Sequence, residues 1–225
     1  MEYENVLGIF SPDGRLIQVE YAQQASEQGS LVVFSSDNEK ICVSLEIKTH
    51  NKMLIDQNKL QLVDKELNIW YTFSGIKPDS YQVLNAARSI CRNYKIKTGT
   101  SITFDELAYS LSVYKQQFTL NSSMRPLGIR SVLLQVGDTP KIYIVEPDGN
   151  YSEYKCGAVG QKSVSVCDYL EKCDNDDVIF RSISGLGTVV QSDRNKVSSF
   201  IITKDECKEV KGDVVGAIIA SVSVN

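Results

Sequence analysis

The chain has 225 residues, 42% of them hydrophobic and 23% charged, with a formal net charge of -4. This supports a sizeable core and excludes a disordered chain, and the acidic balance gives no broad nucleic-acid footprint. No apolar run is long enough to cross a bilayer, and the opening MEYENVLGIF lacks the basic and apolar blocks of a secretory signal.

Ser11-Pro12-Asp13-Gly14 reads as a turn, since Pro12 presets φ and Asp13-Gly14 supplies the bend. Gln18 to Gln28 then reads as a short, mostly polar helix stopped by Gly29. Ser30–Ser36 and Lys40–Leu45 are apolar and rich in β-branched residues around an Asp37-Asn38 turn, which predicts a hairpin. Lys59–Asp64 and Asn68–Ser74 predict a second pair, and four strands in a row imply a sheet. From Pro78 to Lys95 the apolar period changes to three and four, which predicts an amphipathic helix ending at Gly99. Thr103, with Glu106 three residues on, predicts the N-cap of a second helix whose apolar face is Leu107, Leu111, Tyr114 and Phe118.

Strands return at Ser131–Val136 and Lys141–Glu146. Pro147-Asp148-Gly149-Asn150 turns the chain into one long strand, Tyr151–Ala158. Ser163–Cys173 and Asp176–Val190 predict helices, the second weakened by Gly185 and Gly187. Ser199–Thr203 predicts a strand, and Val214–Val222 a closing helix. Helices therefore come in consecutive pairs and do not alternate with strands. That order argues against a doubly wound parallel sheet and for an α+β fold with two antiparallel sheets between helix pairs, as a single domain over residues 1–225.

Catalytic devices are missing from this pattern. The one histidine, His50, lies in a polar connection, which leaves no Ser-His-Asp or Cys-His set. Neither phosphate-loop glycine pattern is present. The six cysteines, Cys42, Cys91, Cys156, Cys167, Cys173 and Cys207, form no C-x-x-C pair and suggest reduced thiols, with no metal or other cofactor. An N-terminal threonine nucleophile would need cleavage at Gly99-Thr100 or Gly187-Thr188, and either cut removes a large part of the domain. No catalytic residue is assigned.

One long motif remains. Tyr3, then Phe10-Ser11-Pro12-Asp13-Gly14-Arg15-Leu16, then Gln18-Val19-Glu20-Tyr21-Ala22, resembles the signature of proteasome α-type subunits. Phe73-Ser74-Gly75, Met124-Arg125-Pro126-Leu127-Gly128 and Glu146-Pro147-Asp148-Gly149 extend the resemblance along the chain. The resemblance implies a four-layer αββα sandwich (Ntn-hydrolase-like), with residues 1–29 as gate tail and short helix and 30–225 as the sandwich. It also implies a non-catalytic subunit of the outer α ring of the 20S core particle, in ubiquitin-dependent protein degradation in cytoplasm and nucleus. The implied partners are the other α subunits of a seven-membered ring, the β ring, and a regulatory particle or other activator docking by its C-terminal tail, with no nucleic acid and no membrane.

Residue by residue, Tyr3, Glu4, Pro12 and Tyr21 match gate positions, with Asn5 where the family usually has arginine. Leu16 and Gly29 match positions of the activator pocket. Its lysine corresponds to Lys59, which begins a strand as the family lysine does, or to Gln61 when counted back from Gly75. Met124–Gly128, the Gln28–Leu31 run and this weak lysine match resemble the α1 type most. Two other classes stay open: a self-processed threonine hydrolase of the same fold, and a free-standing binding module.

Overall fold

Side-chain alternation decides the layering. The computed structural model describes residues 7–48, 53, 58–173, 175–190 and 196–222. Along β5 (Ile129–Val136), Ile129 and Leu133 face one way, and Val132 and Leu134 the other, all of them buried. A strand buried on both faces requires a layer on each side. β5 is the centre of a five-stranded antiparallel sheet formed with β3 (Gln61–Asp64), β4 (Ile69–Gly75), β6 (Pro140–Val145) and β7 (Tyr151–Tyr154), in the order β3-β4-β5-β6-β7. A second antiparallel sheet has the order β10-β9-β2-β1-β8. Its strands are β1 (Val32–Ser36), β2 (Ile41–Glu46), β8 (Cys156–Val159), β9 (Val197–Ile202) and β10 (Cys207–Glu209).

Three apolar cores separate four layers. Between the sheets, Phe34, Val43 and Phe200 meet Val132, Leu134 and Ile142. Outside the β5 sheet, its other face packs on α2 (Lys77–Thr98) and α3 (Phe104–Leu120) through Val83, Ala87, Leu107 and Leu111. Outside the β1 sheet, Leu31 and Val33 pack on α4 (Ser163–Glu171), α5 (Val178–Val190) and α6 (Gly212–Val222). This is the helix–sheet–sheet–helix sandwich expected from the order of elements, with three helices where a pair was expected.

Local chemistry accounts for the element ends. Thr103 Oγ1 accepts from Glu106 N at 3.2 Å, capping α3 as its sequence predicts. α2 ends at Gly99 in the left-handed conformation, with Lys95 and Lys97 in its last turn complementing the helix dipole. Gly185 and Gly187 do not break α5. A side chain at 185 would press on Leu170, Val33 and Val166, so the small residue lets the helix lie close to the sheet.

Two expectations are corrected, and one strand was not expected at all. The first four strands are not one sheet: β1 and β2 belong to one layer, β3 and β4 to the other. The long strand Tyr151–Ala158 is two strands, because the chain leaves one sheet at Tyr154 and enters the other at Cys156. β10 has no counterpart in the predicted elements; its three residues are too few to show a period.

Candidate functional site

α1 (Ile17–Glu27) lies across the ends of β4 and β5, outside the sandwich. Only Val19, Ala22 and Ser26 are buried, a stripe one residue wide. Such a narrow contact needs help, and polar bonds supply it. Gln23 Nε2 donates to Asp148 Oδ2 at 3.4 Å, and Arg130 bridges Glu27 at 3.2 Å and Glu146 at 2.5 Å. The helix leaves its outer side open: Tyr21 is 46% exposed, and Phe10, just upstream, 67%.

The turn before α1 is closed by its own backbone. Ser11 N donates to Arg15 O at 2.8 Å and Gly14 N to Ser11 O at 2.9 Å, which leaves Pro12 exposed at the tip. Arg15 then pairs with Glu20 across the helix start. Leu16 is the N-cap and is half-buried. Of the expected gate residues, Pro12 and Tyr21 are thus surface groups flanking one helix start. Tyr3 and Glu4 lie outside the described residues, as do Asn5 and His50.

The helix ends on a crossing of backbones. A Cβ at Gly29 would stand 2.0 Å from Gly75 N, and one at Gly75, whose φ is +118°, 2.2 Å from Gly128 O. Only glycines let the three segments touch. Ser74 Oγ ties the crossing together by donating to Ser26 O and Ser30 O at 3.0 and 3.1 Å. The segment 124–128 is held in turn by Asp79, in the first turn of α2. Its carboxylate accepts from both Arg125 terminal nitrogens at 2.8 and 2.7 Å and from Gly128 N at 3.0 Å.

Below the crossing opens a cavity of about 1110 Å³, lined among others by Gly29, Ser30, Glu46, Lys48, Lys59 and Gly75. Lys59 is half-buried at its floor. Nζ lies 2.5 Å from Ser30 Oγ, 3.2 Å from Ser30 O and 5.1 Å from the centre of the Phe73 ring. Burial pushes the Lys59 amine down to about 7; Glu46 opposes that shift and Lys48 adds to it. Gln61 also lines the cavity, but its amide donates to Asn58 O. Of the two candidates for the pocket cation, Lys59 has its ammonium at the cavity floor beside Gly29. Leu16 is not brought to this cavity within the chain: the eleven residues of α1, about 16 Å of helix, separate the two ends. No spacing in the sequence announces the Ser30–Lys59 contact, and its one trace there is the Gln28-Gly29-Ser30-Leu31 run.

Two further features bear on what the site can do. Among the described residues, no three His, Cys, Asp or Glu side chains cluster to hold a metal. No described helix is long and apolar enough to cross a membrane.

Comparison with known proteins agrees with this arrangement. The family described as "Proteasome subunit" matches residues 26–179, and the N-terminal signature of its A-type members matches residues 3–25, meeting it at the end of α1. "Proteasome subunit alpha type-8" of Mus musculus is 28% identical over 213 residues, covering 91% of this chain and 85% of that protein. "Proteasome subunit alpha type-7" of Dictyostelium discoideum is 28% identical over 206 residues (89% and 82%), and "Proteasome subunit alpha type-7-B" of Arabidopsis thaliana 25% over 229 residues (98% and 92%). A sandwich with two five-stranded antiparallel sheets, a turn-and-helix signature seated on its end, and these matches over most of its length together mark the chain as a member of the proteasome subunit family, of the α type.

Proposed function

We propose that this chain is a non-catalytic subunit of the outer α ring of the 20S core particle, in cytoplasm and nucleus. Its first residues act in the pore gate, and its cavity receives the C-terminal tail of an activator. The observation that carries this reading is the seating of α1. The helix is bonded to the body by Gln23, Ser26 and Glu27 and by the glycine crossing, while its outer side stays exposed. A segment held so firmly by one side and left open on the other suits a ring neighbour's surface.

The pocket assignment is part of the same proposal. Lys59 at the cavity floor suits a terminal carboxylate, with which an ammonium forms a charge-assisted bond. Leu16, at the far end of α1, suits the pocket of the adjacent subunit. The α1 type as the position in the ring rests on Met124–Gly128 and the Gln28–Leu31 run, while the relatives named above are of types seven and eight.

Deleting residues 1–9 tests the gate role. The assembled particle carrying this chain is expected to hydrolyse small peptides several-fold faster, with unchanged cleavage preference. An unaltered rate would remove this tail from the gate.

A further inference from the structure

The floor of the cavity holds more than a cation. Ser30 Oγ and Lys59 Nζ are 2.5 Å apart, and the residues around them leave the serine little freedom. The Ser30 carbonyl accepts from Ser74 Oγ at 3.1 Å and from Lys59, and the next amide, Leu31 N, donates to Glu46 Oε2 at 2.8 Å. On the other side, the Gly29 carbonyl accepts from Gln161 N at 3.0 Å. The backbone is therefore fixed on both flanks of the hydroxyl, which opens to a cavity large enough for a small organic group.

We propose that Ser30 and Lys59 are a nucleophile and its base, and that the cavity admits a small acyl electrophile which Ser30 accepts as an ester. The pairing of a serine hydroxyl with a desolvated lysine recurs among hydrolases without a histidine. As an ammonium, Nζ donates to Oγ; as an amine, the same short line carries the hydroxyl proton towards Nζ. The step balances without a further reagent. Oγ bonds to the acyl carbon of an activated ester while its proton passes to Nζ. The bond from that carbon to the leaving oxygen breaks, its electron pair stays on the oxygen, and Nζ returns the proton there. The products are a Ser30 ester and a free alcohol or phenol.

Burial favours the amine, and the charged groups on the cavity walls modulate that balance. Glu46 on β2 favours the ammonium, and Lys48 just beyond β2 opposes it; Lys77 and Tyr81 on α2, Tyr71 on β4 and Glu209 on β10 complete the set. Lys59's lowered basicity makes the amine available near neutrality. Acylation is distinct from tail docking, which uses the ammonium form of the same side chain.

The test uses the full-length chain and p-nitrophenyl acetate. One acetyl group is expected on Ser30 by peptide mass mapping, with a stoichiometric burst of p-nitrophenol whose rate rises as the pH passes about 7. Lys59→Met should slow the burst about 100-fold or more, the range of a lost general base, and Ser30→Ala should abolish it. Ser30→Cys should restore it as a thioester at the same position. Acetyl on Lys59 or on scattered lysines and cysteines, or an equal burst in Ser30→Ala, would overturn the proposal. A parallel titration with a peptide bearing a free C-terminal carboxylate separates the two readings. Peptide binding lost in Lys59→Met, without any Ser30 ester in the parent chain, sinks the acylation and leaves tail docking standing. A Ser30 ester with no peptide binding does the reverse.

Discussion

Gly75→Ala is expected to destabilise the chain by about 2–6 kcal/mol, lowering its soluble yield and its urea midpoint. Two independent costs fall on one atom. The backbone at Gly75 has φ +118°, a region that costs a non-glycine residue about 1–3 kcal/mol. The added Cβ would also stand 2.2 Å from Gly128 O and 3.0 Å from Ser26 Cα, and both are backbone atoms that cannot rotate away. Overpacking of this kind costs about 1–3 kcal/mol more, against a total stability of about 5–15 kcal/mol for an ordinary domain. Gly29→Ala should be nearly as damaging, since its Cβ would meet Gly75 N at 2.0 Å and Ser74 Oγ at 2.3 Å. Gly137→Ala is the control: its Cβ meets nothing within 4 Å, and it should change the urea midpoint little. Equal yields and midpoints for Gly75→Ala and Gly137→Ala would show that the crossing does not hold α1 in place.

Asp79→Ala is expected to cost about 3 kcal/mol in urea unfolding and to flatten the loss of stability in acid. The carboxylate is 6% exposed and bonded to Arg125 and Gly128 N, whereas the Arg125 side chain is 57% exposed. Breaking a fully buried pair costs about 3–5 kcal/mol, and the exposed partner puts this one at the lower end. Burial alone would raise the Asp79 carboxyl, but the Arg125 and Gly128 hydrogen bonds and the Arg125 charge outweigh it and hold the group below its ordinary value. A depressed carboxyl contributes stability that is fully present above its unfolded value, about 3.9, and is lost as the pH falls through its folded value. The parent should therefore lose stability below about pH 4 more steeply than Asp79→Ala. Identical acid limbs for the two chains would place the acid sensitivity elsewhere.

Much of the sandwich was legible because periodicity reports burial. α2 and α3 carry their apolar residues at steps of three and four, and both faces of β5 are apolar, so a layer on each side follows from the residues alone. β7 and β8 were merged because all four residues of β7 are exposed and the change of sheet at Lys155 leaves no mark on the pattern. The site was legible only as a set of motif positions. Gly29, Gly75 and Gly128 each sit in a recognisable run, yet their reason is a mutual backbone contact that no local spacing reveals. Ser30 and Lys59 stand far apart in sequence, ahead of β1 and β3 in different sheets, and meet only in the folded chain.

An intact ring member and a processed or solitary chain differ first of all in mass. The native mass of the complex that contains this chain, followed by dissociation and weighing of the subunits, therefore decides between them. A full-length chain released from a particle of stacked seven-membered rings is the expected result. A lone monomer, or a chain shortened to begin at Thr100 or Thr188, would contradict the ring role.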